Sequence, residues 1–188
     1  MRRPLTAAEP ARHALLGLLL AGPSYGYELA RAFAPGTVLD SIMHLGASHL
    51  YALLAHLERD SLVRGHLLDQ GARPPRRVFE LTEAGRELAQ RWIDEPVDRP
   101  RDIMLDFPLK LYLAHRENHA RSARLIASQS ALFRAYLDGL EREQPQAAEG
   151  EDAAFQWLLH DGRIERTRSA LAWLDRCAEA LEVSSLVP

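Results

Sequence analysis

The chain has 188 residues, 47% of them apolar, a formal charge of −3 and a single cysteine, Cys177. That is room for one ordinary domain or two small ones with a packed core, and it excludes an intrachain disulfide and a cysteine-based zinc finger. The strongly basic balance that would announce a nucleic-acid binder is missing, since over residues 1–97 arginines and acidic residues are equal, eleven of each. The longest apolar run, Ala14–Ala21, is far short of the roughly 20 residues of a membrane span. The start MRRPLTAAEP has no apolar stretch leading to a cleavage site, so a cytoplasmic protein without membrane contact is expected.

In chain order, Leu5–Leu20 is predicted as a first helix, with Thr6 and Glu9 at capping-box spacing and Pro10 in the first turn. Gly22–Pro23 ends it, Ser24 suits the N-cap of a second helix over Tyr25–Ala34, and Pro35–Gly36 stops that one. After a lead-in over Thr37–Leu45, Gly46–Val63 carries the most informative pattern. Leu50, Leu53, Leu54 and Leu57 fall three and four apart on one helical face, and Tyr51, Ala55 and Glu58 fall on another. A buried face and an outward reading face therefore coexist in a helix over 46–60. Strands are expected at Arg64–Leu68 and Arg77–Thr82, joined by DQGARPPR as a long loop, with Phe79 and Leu81 on one strand face.

Arg73, Arg76 and Arg77 lie within five positions, with Arg64 on the other side of the hairpin, a local basic tip on a neutral domain. Thr82 can cap a further helix whose Leu88 and Trp92 lie one turn apart on its buried side. Three short helices followed at once by a two-stranded wing are the layout of a winged helix-turn-helix, in which the helix enters the DNA major groove and the wing lies on the backbone. Adjacent strand residues point to opposite faces. With Phe79 as the buried partner, Arg77 shares its face and Arg76 lies opposite, which favours Arg76, with Arg73, as the phosphate contact.

The stretch EPVDRPRD, with Pro96 and Pro100, breaks the pattern and places a boundary between 1–96 and 97–188. The second half is predicted as two long helices. In Glu117–Arg142, Ile126, Gln129, Phe133, Tyr136, Leu137 and Leu140 recur at threes and fours. After the polar break EREQPQAAEGED, Ala153–Glu182 places Trp157, Ile164, Leu171 and Ala178 seven apart, with Leu174 and Leu181 between them. Such stripes exceed what the short N-terminal helices can cover, so pairing with a second copy through Ile126, Phe133, Tyr136, Leu140, Trp157, Ile164 and Leu171 is expected, with packing of the two helices on each other within one chain as the alternative. The fold class is thus mainly α (α+β): an N-terminal winged helix plus a C-terminal long-helix dimerisation domain. His115 and His119, one turn apart, lack a third ligand, so no metal or other cofactor is expected. Trp92, Trp157 and Trp173 sit on periodic apolar faces, and Cys177 reads as a small core residue. No nucleophile elbow, P-loop, dinucleotide fingerprint or metalloprotease motif is present, and an enzyme is not expected.

GLLLAGPSYGYELA at 17–30, LGASHLYALLAHLERDSLV at 45–63 and RPPRRVFELTEAGRE at 73–87 together resemble the three blocks of the PadR family of transcriptional regulators, and DFPLKLYLA at 106–114 is similar to the opening of that family's C-terminal domain. The resemblance implies a homodimer, of the members with a long C-terminal half, that binds double-stranded operator DNA as a repressor and is released by a small-molecule effector. Carried onto this sequence, the DNA-binding set is Tyr25, Ser48, His49, Tyr51, Arg73, Arg76 and Arg77. Three positions depart from the family pattern: His49 stands for serine or threonine, Ser61 for the turn glycine and Phe79 for the wing tyrosine. An imidazole at 49 offers a different donor pattern to a base. A winged helix used only for protein contacts is the alternative, separated by whether salt-dependent duplex binding exists.

Overall fold

The computed structural model describes residues 8–70, 73–143 and 152–185, apart from the side chains of 8, 69, 70, 73–75 and 183–185. The chain divides into two compact units, residues 1–95 and 96–188. The first holds helices α1 (Ala8–Leu19), α2 (Gly26–Ala32), α3 (Val38–Ile42), α4 (Ala47–Arg59) and α5 (Glu83–Asp94), and strands β1 (Ser24–Tyr25), β2 (Val63–Gln70) and β3 (Arg73–Leu81). The strands form one antiparallel sheet in the order β1-β3-β2. Leu15, Leu16 and Leu19 of α1, Leu50, Leu54 and Leu57 of α4 and Ile93 of α5 are all buried. Helices this short hold only by sharing such a core.

Three expectations change here. Ser24 does not cap α2: Ser24 and Tyr25 are extended and pair with Phe79 and Val78 of β3, and Tyr25 is the cap residue. Glu28 brings this about, its Oε2 accepting from the Ser24 hydroxyl (3.1 Å) and the Tyr25 N–H (3.2 Å). The lead-in over Thr37–Leu45 holds a helix of its own, α3. Thr37 Oγ1 accepts from the Asp40 N–H (3.2 Å) and Leu39 is buried, but five residues are too few to show a helical period. At its end a hydrogen bond with His44, and then one from the Gly36 N–H, hold the Asp40 carboxyl below its ordinary range.

The hairpin is also longer than expected. β2 runs to Gln70 and β3 starts at Arg73, so most of the anticipated loop is strand, with the turn outside the described residues. The register Leu68↔Arg76 and Gln70↔Arg73 shifts in between. Pro74 and Pro75 fall in that shifted stretch, where a missing N–H costs the ladder least. Thr6 and Leu5 of the anticipated first helix lie outside the described residues.

α4 ends in a Schellman motif, with Leu62 N–H donating to Leu57 O and Ser61 N–H to Glu58 O, each at 2.9 Å. The left-handed position belongs to Ser61, at φ 57°, a conformation that glycine adopts at far less cost. Ser61→Gly is therefore expected to raise the stability of this unit by about 1 kcal/mol, read as a higher urea midpoint with an unchanged slope; an unmoved midpoint would mean that Ser61 bears no strain.

The second unit opens with a 3-10 turn at Pro100–Asp102 and continues in α6 (Ile103–Glu117), α7 (His119–Arg142) and α8 (Ala153–Ser185). Asn118 separates α6 from α7, its side chain accepting from the Arg121 N–H (2.8 Å). Gln129 is fully buried; it accepts from the Val97 N–H (2.6 Å) and donates to the Val97 carbonyl (2.9 Å). Ion pairs Arg134–Asp175 (3.8 Å) and Arg168–Glu141 (2.7 Å) set α7 and α8 antiparallel. From Arg168 back to Ala153 is fifteen residues, about 22 Å of helix, whereas α7 has a single residue left beyond Glu141. The first turns of α8 therefore run past the end of α7. No described helix is long and apolar enough to cross a membrane.

The residues expected to face a second copy split into two groups. Ile126, Phe133 and Leu140 are buried within the unit, Phe133 completely, because the stripe of α7 that carries them is covered by the unit's own helices. They belong to its core rather than to a free surface. Ile164 and Leu171 are half-buried, and Tyr136 and Trp157 are exposed. Around Trp157 the overhanging turns of α8 also expose Phe155, Leu158 and Leu159.

Candidate nucleic-acid interface

α4 divides as its spacing requires: Leu50, Leu53, Leu54 and Leu57 are buried, while Ser48, His49, Tyr51, Ala55 and His56 face outward. Ser48 and His49, on the first turn, make no side-chain hydrogen bond or ion pair among the described residues. Glu58, expected on the reading face, instead turns to the hairpin. Its carboxylate accepts the Gly65 N–H (2.9 Å) and two bonds from Arg77 Nη2 (2.8 Å each). Gly65 leaves room for this pair, because a Cβ would stand 2.5 Å from Glu58 Oε1 and 2.8 Å from Arg77 Nε and push both side chains aside.

The two adjacent arginines diverge. Arg77 lies over the Phe79 ring (5.3 Å to its centroid) with its charge met by Glu58. Arg76 lies on the other face, 5.4 Å from the Tyr27 ring centroid and 6.0 Å from that of Tyr25, and donates a long hydrogen bond to the Tyr27 hydroxyl (3.4 Å). No carboxylate pairs with Arg76 among the described residues. Tyr25 and Tyr27 stack, with centroids 5.5 Å apart.

Gly26, Tyr27, Tyr51, Arg76, Arg77 and Phe79 together line an open recess of about 470 Å³. Gly26 lets the helix tyrosine reach this cluster, since a Cβ there would stand 2.7 Å from Tyr51 Cε1 and 3.2 Å from Phe79 Cε2. Of the seven residues expected to bind DNA, the structure therefore brings Tyr51, Arg76 and Arg77 to one recess, with Tyr25 beside it, stacked on Tyr27 and facing Arg76. It leaves Ser48 and His49 exposed on the neighbouring turn of α4. The side chain of Arg73 lies outside the described residues.

Sequence reasoning missed Tyr27. Two positions from Tyr25, it falls on a different face if both are helical; the extended backbone of Tyr25 (φ −76°, ψ 146°) is what turns both rings to the same side. Elsewhere, His115 and His119 lie edge to face, 6.4 Å between centroids, and no group of three or more metal-ligating side chains exists among the described residues. Trp92 is core, stacked on His13 (4.6 Å), and Trp173 meets Phe107 edge-on (5.7 Å). Half-buried Cys177 has its thiol pushed above the ordinary value by burial, which keeps it a thiol at neutral pH.

A short-helix core with an outward helix face beside a two-stranded wing is a winged helix-turn-helix of the DNA-binding class. Residues 15–91 match the family model described as "Transcriptional regulator PadR-like family", and residues 105–182 match "Virulence activator alpha C-term". The probable transcriptional regulator Rv1176c of Mycobacterium tuberculosis (strain ATCC 25618 / H37Rv) is 30% identical over 185 residues, covering 90% of this chain and 96% of that protein. The negative transcriptional regulator PadR of Bacillus subtilis (strain 168) is 22% identical over 171 residues, covering 87% and 93%. A crystal structure of Bacillus subtilis PadR in complex with operator DNA aligns at 21% identity and a TM-score of 0.44, covering 89% of this chain and 97% of that one. The chain belongs to the PadR-like family of transcriptional regulators. Members of this family are regulators, not enzymes.

Proposed function

We propose that the protein is a homodimeric repressor that reads an operator through α4, holds the DNA backbone through its wing, and lets go when a small molecule binds. The observation that carries the DNA reading is the contrast between the two wing arginines: Arg77 is neutralised by Glu58, whereas Arg76 presents its charge on a platform of tyrosines beside the exposed face of α4. An uncompensated guanidinium next to a helix of groove-entering size suits a phosphate, and the exposed Ser48, His49 and Tyr51 on that helix would meet base edges. Repression follows from the name of the Bacillus subtilis relative, a negative regulator. Release by an effector follows from the family resemblance. In a dimer the effector would act by changing the separation of the two reading helices, which must match half-sites about 34–36 Å apart.

The test is titration of a duplex selected from genomic fragments, and of a scrambled duplex, at several salt concentrations. Arg76→Ala should weaken both by a similar factor and lower the salt slope by about one unit per subunit. Tyr51→Phe should cost the selected duplex more than the scrambled one. An unaltered slope for Arg76→Ala would take the wing off the backbone, and the absence of any salt-dependent binding would favour a module for protein contacts alone.

The dimer reading rests on the overhanging start of α8, where Phe155, Trp157, Leu158 and Leu159 are each more than half exposed in a chain whose family pattern is a pair. Trp157→Asp should weaken association at least thirtyfold, the effect of losing a tryptophan hot spot worth about 2 kcal/mol or more, with helix content unchanged. Light scattering against concentration reads it. A folded variant that stays dimeric at the same concentration would place the interface elsewhere.

A further inference from the structure

Within residues 96–188 lies a recess of about 260 Å³ lined by Arg99, Pro100 and Arg101 at the 3-10 turn, Tyr136 of α7, and Arg163, Arg166 and Thr167 of α8. Its walls follow from local structure. Pro100 is buried at the start of the turn, between the exposed Arg99 and Arg101. Arg163, Arg166 and Thr167 stand three and four apart, so one face of α8 presents all three. Thr167 is fully buried, which seats that face against the unit, and its hydroxyl donates to the Arg163 carbonyl of its own helix (2.7 Å). Three acids of this unit are engaged elsewhere: Glu141 and Glu165 both hold Arg168 (2.7 and 2.8 Å), and Asp102 meets Arg101 (3.4 Å). The guanidinium groups of Arg99, Arg163 and Arg166 have no hydrogen bond or ion pair among the described residues.

We propose that this recess binds a small polyanion, a molecule carrying at least two phosphate or carboxylate groups. Three unpaired cations on one concave wall repel one another and focus a positive potential into it. Each guanidinium offers a planar fork matched to two oxygens of an oxyanion. A monoanion satisfies one fork, whereas a polyanion bridges several and cancels their mutual repulsion. Tyr136, 42% exposed, adds a hydroxyl donor and a ring at the same wall. The volume lies just below the roughly 300–1,000 Å³ of drug-sized sites, which points to a compact ligand. The proposal deepens the effector reading and rests on it for regulatory meaning, though not for binding itself.

Isothermal titration of the full chain with pyrophosphate and with citrate, and with benzoate as a monoanion, tests it. At least one polyanion should bind, and which one binds tighter tells a phosphate site from a carboxylate site. The double variant Arg163→Gln/Arg166→Gln, substituted at exposed helix positions, should keep its circular dichroism and bind about a hundredfold more weakly, about tenfold for each charged hydrogen-bonding group lost. No binding of either polyanion, equal binding of benzoate, or unchanged affinity in the double variant would each overturn the proposal. So would weaker duplex binding by the double variant with no anion present, which would make the recess a contact for DNA phosphate. If the polyanion binds the recess but leaves duplex affinity untouched, the site stands and the effector reading fails.

Discussion

Gly85→Ala is expected to cost the N-terminal unit about 3 kcal/mol, the upper end of what overpacking usually costs, and to lower its melting temperature by roughly 10–20 °C. A Cβ at position 85 would stand 1.9 Å from the Leu62 carbonyl oxygen and 2.9 Å from its carbon. That carbonyl cannot swing aside cheaply, because it accepts both the Thr82 N–H and the Thr82 hydroxyl (3.1 Å each). Thr82 in turn caps α5 by accepting the Gly85 N–H (3.1 Å). The alanine therefore sets the packing of α5 against the cap that starts it. Thermal melting monitored by circular dichroism checks this, and a melting point within about 2 °C of the parent would show that the helix can slide away from β2 at little cost.

Phe133→Asp is expected to unfold the C-terminal unit rather than to separate two folded copies. The side chain is fully buried within one chain; removing such a ring costs about 3–5 kcal/mol, and an unpaired carboxylate in its place costs several more. That approaches the whole stability of a small domain. The variant should lose helical signal from residues 96–188, whereas Trp157→Asp should keep it. Comparing the two by circular dichroism and light scattering separates folding from association. A Phe133→Asp chain with full helix content would require that residue 133 be accessible.

Both variants bear on what the sequence alone could express. Helix α4 was legible almost to the residue, expected at 46–60 and found at Ala47–Arg59, because four leucines at helical spacing specify a face and glycine and aspartate mark its ends. The stripe of α7 was equally legible as apolar, but periodicity tells only that a face is covered and is silent about what covers it. For this reason Phe133 reads the same whether its neighbour is α8 or a second molecule. The recess was only half legible. Arg76 and Arg77 could be sent to opposite faces from strand geometry alone, yet the Tyr27 platform depends on two extended residues at a helix start, and the Glu58 pairing joins positions 19 residues apart. Neither leaves a periodic trace. Ser61 is the converse case, a residue without pattern whose meaning came from its left-handed backbone.

The Glu58 carboxylate has a consequence for how much freedom remains when DNA arrives. One side chain from the last turn of α4 fastens to a backbone N–H of β2 and to an arginine of β3, so helix and wing are braced together before any duplex is met. The ordering of these parts is a cost already met in folding, and association need not meet it again. The same rigidity narrows tolerance. If the wing lies on the backbone as proposed, a duplex whose groove width or local bend misplaces the phosphates beneath Arg76 would itself have to deform. Selectivity would then extend to base pairs that no side chain touches.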